Sequence, residues 1–235
     1  MGNSLDIYNI IIEVDRMKLK QLSYILMIII ASSLVLMPYA DAWSWKTHSA
    51  IVDVVYYGLP VNVQQKLDLN IMRDGSNDPD QIFHDFNYHS YPKSYDKAEF
   101  WLNQGKSAYD NGNYANASYD YGVATHYISD TFSAPHTVSG ESSSDHSKYE
   151  NHAKKLTPTA TYVNEDLNAM MQDGKNEGPS DWANWLQSND DNIIQKDLDR
   201  GASASLSAVE NSLNVNNTKS ESFLDYIIRK ISSIF

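Results

Sequence analysis

Apolar residues recur along this chain at spacings of three and four, the period that gathers them on one face of a helix. Ala50, Ile51, Val54 and Val55 form one such stripe, and Ala98, Trp101, Leu102, Ala108 and Tyr109 form another. Segment 113–131 has Gly122 as its only breaker and stops at Ser133-Ala134-Pro135. Further helices are predicted over 147–156, 160–172, 181–198 and 202–213. A last one over 221–234 sets Phe223, Leu224, Ile227, Ile228 and Ile231 on one face, and its polar side (Glu221, Asp225, Arg229, Lys230), not strongly basic, favours docking on the core over lying in a membrane surface. Polar stretches rich in turn residues predict loops over 73–80, 91–95, 138–145 and 173–180. Alternating strand patterns, internal repeats and linkers are missing from the pattern. The expectation is one compact all-α, multi-helix domain.

The N-terminal segment breaks the pattern. Residues 22–37 (LSYILMIIIASSLVLM) are almost wholly apolar, follow Lys18 and Lys20, and lead to Pro38 and the small-x-small site Ala40-Asp41-Ala42. That order is the one read by signal peptidase, and the run falls short of the ~20 residues a spanning helix needs. Residues 1–42 are therefore read as a signal peptide, with Met17 as an alternative start and a retained anchor as the competing reading. Residues 43–235 then form the exported domain, and the product is secreted or held in the cell envelope.

Charge and composition narrow the function. With 18 Lys and Arg against 30 Asp and Glu the chain carries a formal net charge of −12, which argues against a broad basic face for nucleic acid. Cysteine is absent, so disulfides, thiolate zinc sites and a cysteine nucleophile are excluded. A metal here must be held by His, Asp, Glu and backbone, the donor set of catalytic zinc.

The seven histidines are His48, His84, His89, His126, His136, His146 and His152. His126 and Asp130 stand four apart, so a helix projects both from one face. His146 and Glu150 repeat that spacing, and His136 lies between the two pairs just past Pro135. One such pair is most often a surface ion pair. Two, with a third imidazole between them, match the way helical bundles build multinuclear metal centres. Gly122, one turn before His126, predicts a close backbone approach.

These motifs, in this order, resemble the zinc-dependent phospholipases C, including the bacterial phosphatidylcholine-hydrolysing enzymes and the catalytic domains of clostridial alpha-toxins. The resemblance is carried by Trp43-Ser-Trp-Lys-Thr-His48, by Gly75-Ser-Asn-Asp-Pro-Asp80, by His89-Ser-Tyr-Pro92, by His126-Tyr-x-x-Asp130 with Pro135-His136, and by His146-Ser-Lys-Tyr-Glu150-Asn151. It implies an all-α fold around three zinc ions. One zinc would take Asp80, His89, His126 and Asp130. A second would take His136, His146 and Glu150. The third would take His48, bridging Asp130, and the α-amine and carbonyl of Trp43, freed by cleavage after Ala42. His84 competes with His89, Asp78 with Asp80, and Trp45 with Trp43. The spacing from Asp80 to His89 is shorter than the family's.

The implied reaction is hydrolysis of a phospholipid at a membrane surface by metal-activated water, giving a diacylglycerol-type lipid and a phosphorylated head group, with Asp80 as general base and the protein acting as a monomer. Phe86, three before His89, matches an aromatic that meets choline-like cations in the family, with an ordinary core aromatic as its alternative. Lys46 and Gln81 replace the acidic and aromatic residues expected of that subsite, which argues against copying the choline preference. Two rivals remain open: a secreted zinc-dependent single-strand nuclease or 3'-nucleotidase, and a non-catalytic envelope protein stapled by zinc. The sequence reading expects no nucleic-acid partner.

Overall fold

The structure is a computed structural model that describes residues 43–215 together with Lys20, Gln21, Ser23, Tyr24 and Met27. The chain divides into two units, Met1–Tyr39 and Ala40–Phe235. In the first, Ser23 Oγ donates to the Lys20 carbonyl at 2.8 Å. The expected helix over 221–234 and most of the expected signal segment lie outside the described residues.

The described part of the second unit is built from eight α-helices: α1 (Trp45–Gly58), α2 (Val61–Gln64), α3 (Leu69–Asp78), α4 (Lys93–Asp110), α5 (Tyr114–Asp130), α6 (Ser143–Ala153), α7 (Leu167–Ser188) and α8 (Asp191–Leu213). A π-helical turn (Pro79–Phe83) and a 3-10 turn (Phe86–Tyr88) link α3 to α4, and a second 3-10 turn (Ala134–Thr137) follows α5. Among the described residues all regular structure is helical, as the periodicity predicts.

Helix α5 is the axis of the domain. Every residue from Tyr121 to Asp130 is buried, and α1, α3, α4 and α8 pack around it. A helix buried on all sides must satisfy its own polar groups. Thr125 does so by donating to the Tyr121 carbonyl at 2.9 Å, and Ser129 by donating to the His126 carbonyl at 3.1 Å. His126 and Asp130 are left to face inward.

Two loop expectations are overturned, and glycine is the reason in both. Over 73–80 the chain stays helical as far as Asp78, with Asp68 capping the N-terminus by accepting from the Asn70 and Ile71 amides at 2.8 and 3.2 Å. Gly75 serves contact rather than a turn, since a Cβ there would meet the Tyr119 carbonyl oxygen at 2.3 Å. Segment 173–180 lies inside α7, where a Cβ on Gly174 would meet the Phe132 ring at 2.8 Å and one on Gly178 would meet the Thr137 side chain at 2.2 Å. The helices expected over 160–172, 181–198 and 202–213 are thus two longer ones, divided at 189–190 where Asn189 takes a left-handed conformation (φ 51°).

The expected close approach at Gly122 is present: a Cβ there would sit 2.1 Å from the Met72 carbonyl oxygen. Gly75 and Gly122 together let α3 and α5 cross nearly backbone to backbone. Gly122→Ala is expected to lower stability by about 1–3 kcal/mol, the usual cost of overpacking a tight contact. Urea unfolding measures it, and an unchanged midpoint would mean that the helices part without cost.

Candidate metal centre

Six elements deliver the expected donors to one interior region. Helix α1 carries His48, the π turn Asp80, the chain after the first 3-10 turn His89, α5 both His126 and Asp130, the second 3-10 turn His136, and α6 both His146 and Glu150. The donor atoms fall into three groups, each within 4.8 Å: His48, Asp80 and His126; His89, His126 and Asp130; His136, His146 and Glu150.

Distances among the donors, within and between the groups, fit a coordination shell. A tetrahedral zinc with bonds of about 2.0–2.1 Å sets neighbouring donors about 3.3 Å apart. Here His126 Nε2 lies 3.2 Å from Asp130 Oδ2, His89 Nδ1 3.1 Å from Asp130 Oδ2, and His48 Nε2 3.4 Å from Asp130 Oδ1. Asp80 stands 3.6 to 3.8 Å from His89, His48 and His126. On α6, His146 Nε2 and Glu150 Oε1 are 3.1 Å apart.

The unpaired atoms show the fit. Both ring nitrogens of His48, Nε2 of His89 and His126, Nδ1 of His136 and His146, and both carboxylate oxygens of Asp130 are buried without a hydrogen-bond partner. Left so, each costs the desolvation of a polar group. A divalent cation satisfies such donors together, and nitrogen and oxygen donors alone suit zinc. The orientation of one is fixed: His126 Nδ1 is 2.8 Å from the Ser76 carbonyl, which can only accept, so the proton sits on Nδ1 and Nε2 faces Asp80 and Asp130 with its lone pair.

Burial keeps three of the imidazoles, His48, His126 and His136, neutral. Burial, with the neighbouring histidines adding, pushes His48 and His136 well below the usual range. Burial also lowers His126, against the opposing pull of Asp80, the Ser76 carbonyl and Asp85. Asp130 is raised, first by burial, although His89 pulls it down. Burial opposes charge on His146 too, but Glu150 and Glu141 outweigh it and raise the group. A cation entering such a pocket meets the neutral rings of His48, His126 and His136, while at Asp130 and His146 it competes with a proton.

The competing residues separate cleanly. His89 is buried among the donors, whereas His84 is exposed in a left-handed conformation (φ 52°). Asp78 accepts from the Tyr119 hydroxyl at 2.7 Å and stands outside the three groups. Trp43 is wholly buried: its indole donates to the Ser129 carbonyl at 3.1 Å, its ring stacks on Tyr149 at 5.5 Å, and its backbone lies toward Asp130 and favours the ionised carboxylate. Trp45 is 62% exposed. His152 is turned away and pairs with Asp191 at 2.6 Å. Phe86 sits edge-on to His89 at 5.7 Å.

Three residues that the sequence reading passed over border the centre. Glu141 Oε1 is 3.6 Å from His146 Nδ1. Asp85 Oδ1 is 3.9 Å from His89 Nε2, and its carboxyl is held below the usual range by His89, Lys97 and Tyr127 despite burial. Lys154 lines a cleft of about 440 Å³ together with Ser44, Trp45, Asp80, Gln81 and Glu150. None of the three lies in a recognised motif. Asp85 and Glu141 sit in irregular chain, where periodicity carries no signal.

A family model described as zinc dependent phospholipase C matches residues 47–195, more than half of the chain and every candidate donor except Trp43. No curated protein matches it.

Proposed function

We propose that this chain, which belongs to the zinc-dependent phospholipase C family, hydrolyses the phosphodiester bond of phospholipids to a diacylglycerol-type lipid and a phosphorylated head group. The observation that carries this reading is the cleft. Its walls include Asp80 from one donor group and Glu150 from another, so a diester lying in it meets two clusters at once.

In this reading Asp80, His89, His126 and Asp130 hold one zinc, and His136, His146 and Glu150 a second. Trp43, through a free α-amine and its carbonyl, would hold the third with His48 and Asp130. Zinc supplies Lewis acidity and lowers the pKa of water to about 7. The protein's own part is to orient and to move protons. The Ser76 carbonyl fixes the His126 tautomer, and the Trp43 indole ties the start of the domain to α5. Asp80, on the cleft wall, accepts the proton of the attacking water. No serine or cysteine nucleophile is called for.

Head-group choice follows from the walls. Gln81, which stands where the family's choline subsite is expected to carry an aromatic, lines the cleft; Lys46 replaces the expected acid, Lys154 adds a cation to the wall that Trp45 shares, and Phe86 is not among the lining residues. This arrangement favours hydroxylated or anionic head groups over choline. Export by signal cleavage before Trp43 places the enzyme where it meets lipid from outside the cell.

The test is direct. The zinc-loaded chain starting at Trp43 is incubated with phosphatidylglycerol and phosphatidylcholine vesicles and, separately, with single-stranded DNA. Phosphorylated head group should be released, faster from phosphatidylglycerol. Release of nucleotides instead would favour the nuclease, and a single tight zinc with neither product would favour a structural staple.

A further inference from the structure

Asp85 lies against the metal centre yet belongs to none of its three donor groups. Its Oδ2 accepts from Lys97 Nζ on α4 at 2.8 Å and from the Tyr127 hydroxyl on α5 at 2.7 Å, so two helices clamp the carboxylate. Its Oδ1 is buried with no hydrogen-bond partner and faces His89 Nε2, equally unpartnered, at 3.9 Å. On the far edge of the same ring, His89 Nδ1 is 3.1 Å from Asp130 Oδ2. His89 therefore stands between two carboxylates, one inside a donor group and one outside it.

A neutral imidazole has one N–H and one lone pair, and whatever accepts the N–H decides which nitrogen is free to ligate. We propose that Asp85 is the positioning residue of His89: it accepts the Nε2 proton, so that Nδ1 presents its lone pair to the pocket shared with His126 and Asp130. Closing the gap to a hydrogen bond of about 2.9 Å takes a shift of about 1 Å. Asp80 Oδ1 is nearer to Nε2, at 3.6 Å, but Asp80 also faces His48 and His126 and belongs to the donor side. Lys97 supplies the charge that keeps Asp85 ionised as an acceptor. The same ring logic holds His126, with the Ser76 carbonyl in the part that Asp85 plays for His89.

The inference rests on reading the centre as a zinc site. Two measurements test it. Long-range proton–nitrogen NMR of the zinc-loaded wild-type chain should show His89 protonated on Nε2 and ligated through Nδ1, and the reverse assignment overturns the proposal. Asp85→Asn, followed by chelator competition, should weaken one zinc by about 10–100-fold. Asparagine has a single acceptor oxygen, which Lys97 and Tyr127 already claim, so its amide would turn toward the Nε2 proton. Zinc affinity equal to wild type in that variant also overturns the proposal. A wild-type chain that takes up no zinc overturns the zinc reading itself, and the two failures are thereby told apart.

Discussion

His126→Ala is expected to abolish hydrolysis, with a loss of at least about a thousandfold, and to strip zinc from the centre. The size follows from the site. A bound metal is worth several kcal/mol to such a reaction, and each 1.36 kcal/mol is a factor of ten. His126 also belongs to two of the three donor groups, so its removal opens both. The same variant should unfold at lower denaturant, because metal affinity is folding free energy when the site exists only in the folded chain. In zinc-free protein the cost is smaller. There the substitution deletes a buried Nε2 with no partner, which offsets part of what is lost in the Nδ1 hydrogen bond to the Ser76 carbonyl and in packing against His48, whose ring stacks on His126 at 4.1 Å. Metal analysis and unfolding with and without chelator read out both halves. Full zinc content in His126→Ala would sink the donor assignment.

The second large effect is expected at Trp43. A chain beginning at Trp43 should carry three zinc ions, and one with Ala42 still attached should carry two and lose most of its activity. The reason is chemical: an amine in a peptide bond has no lone pair to give, whereas a free α-amine with a pKa of about 7.7–8.0 can surrender its proton to a metal. The packing is compatible with this role, since Trp43 is buried, its indole is tied to Ser129 and its backbone lies toward Asp130. Equal zinc content and equal rates in the two chains would remove Trp43 from the site and leave His48 and Asp130 to the neighbouring groups.

Much of the fold was legible because helical period is a local property. The run that became α5 ends at Asp130, as Ser133-Ala134-Pro135 predicted, and α6 carries the second His/carboxylate pair. The glycines misled. Gly75, Gly174 and Gly178 sit in polar stretches that read as turns, but each marks a place where a neighbouring element leaves no room for a side chain. Local composition does not separate a glycine that bends the chain from one that lets another segment touch it. The contact partner, Tyr119, Phe132 or Thr137, lies about 40 residues away in each case.

The sequence by itself determined the helical class, the donor types, the absence of cysteine chemistry and the one-turn spacing that aligns His126 with Asp130 and His146 with Glu150, since all of these follow from residue identity and a period of 3.6. Only the tertiary structure decided that His89 enters the centre and His84 does not, that Asp78 is spent on Tyr119, that the Ser76 carbonyl sets one tautomer, and that Asp85 confronts the His89 ring. Those outcomes depend on how closely α3 and α5 cross and on the turn that the chain makes after Asp80. Such geometry is set by packing between segments far apart in the chain, which spacing along it does not encode.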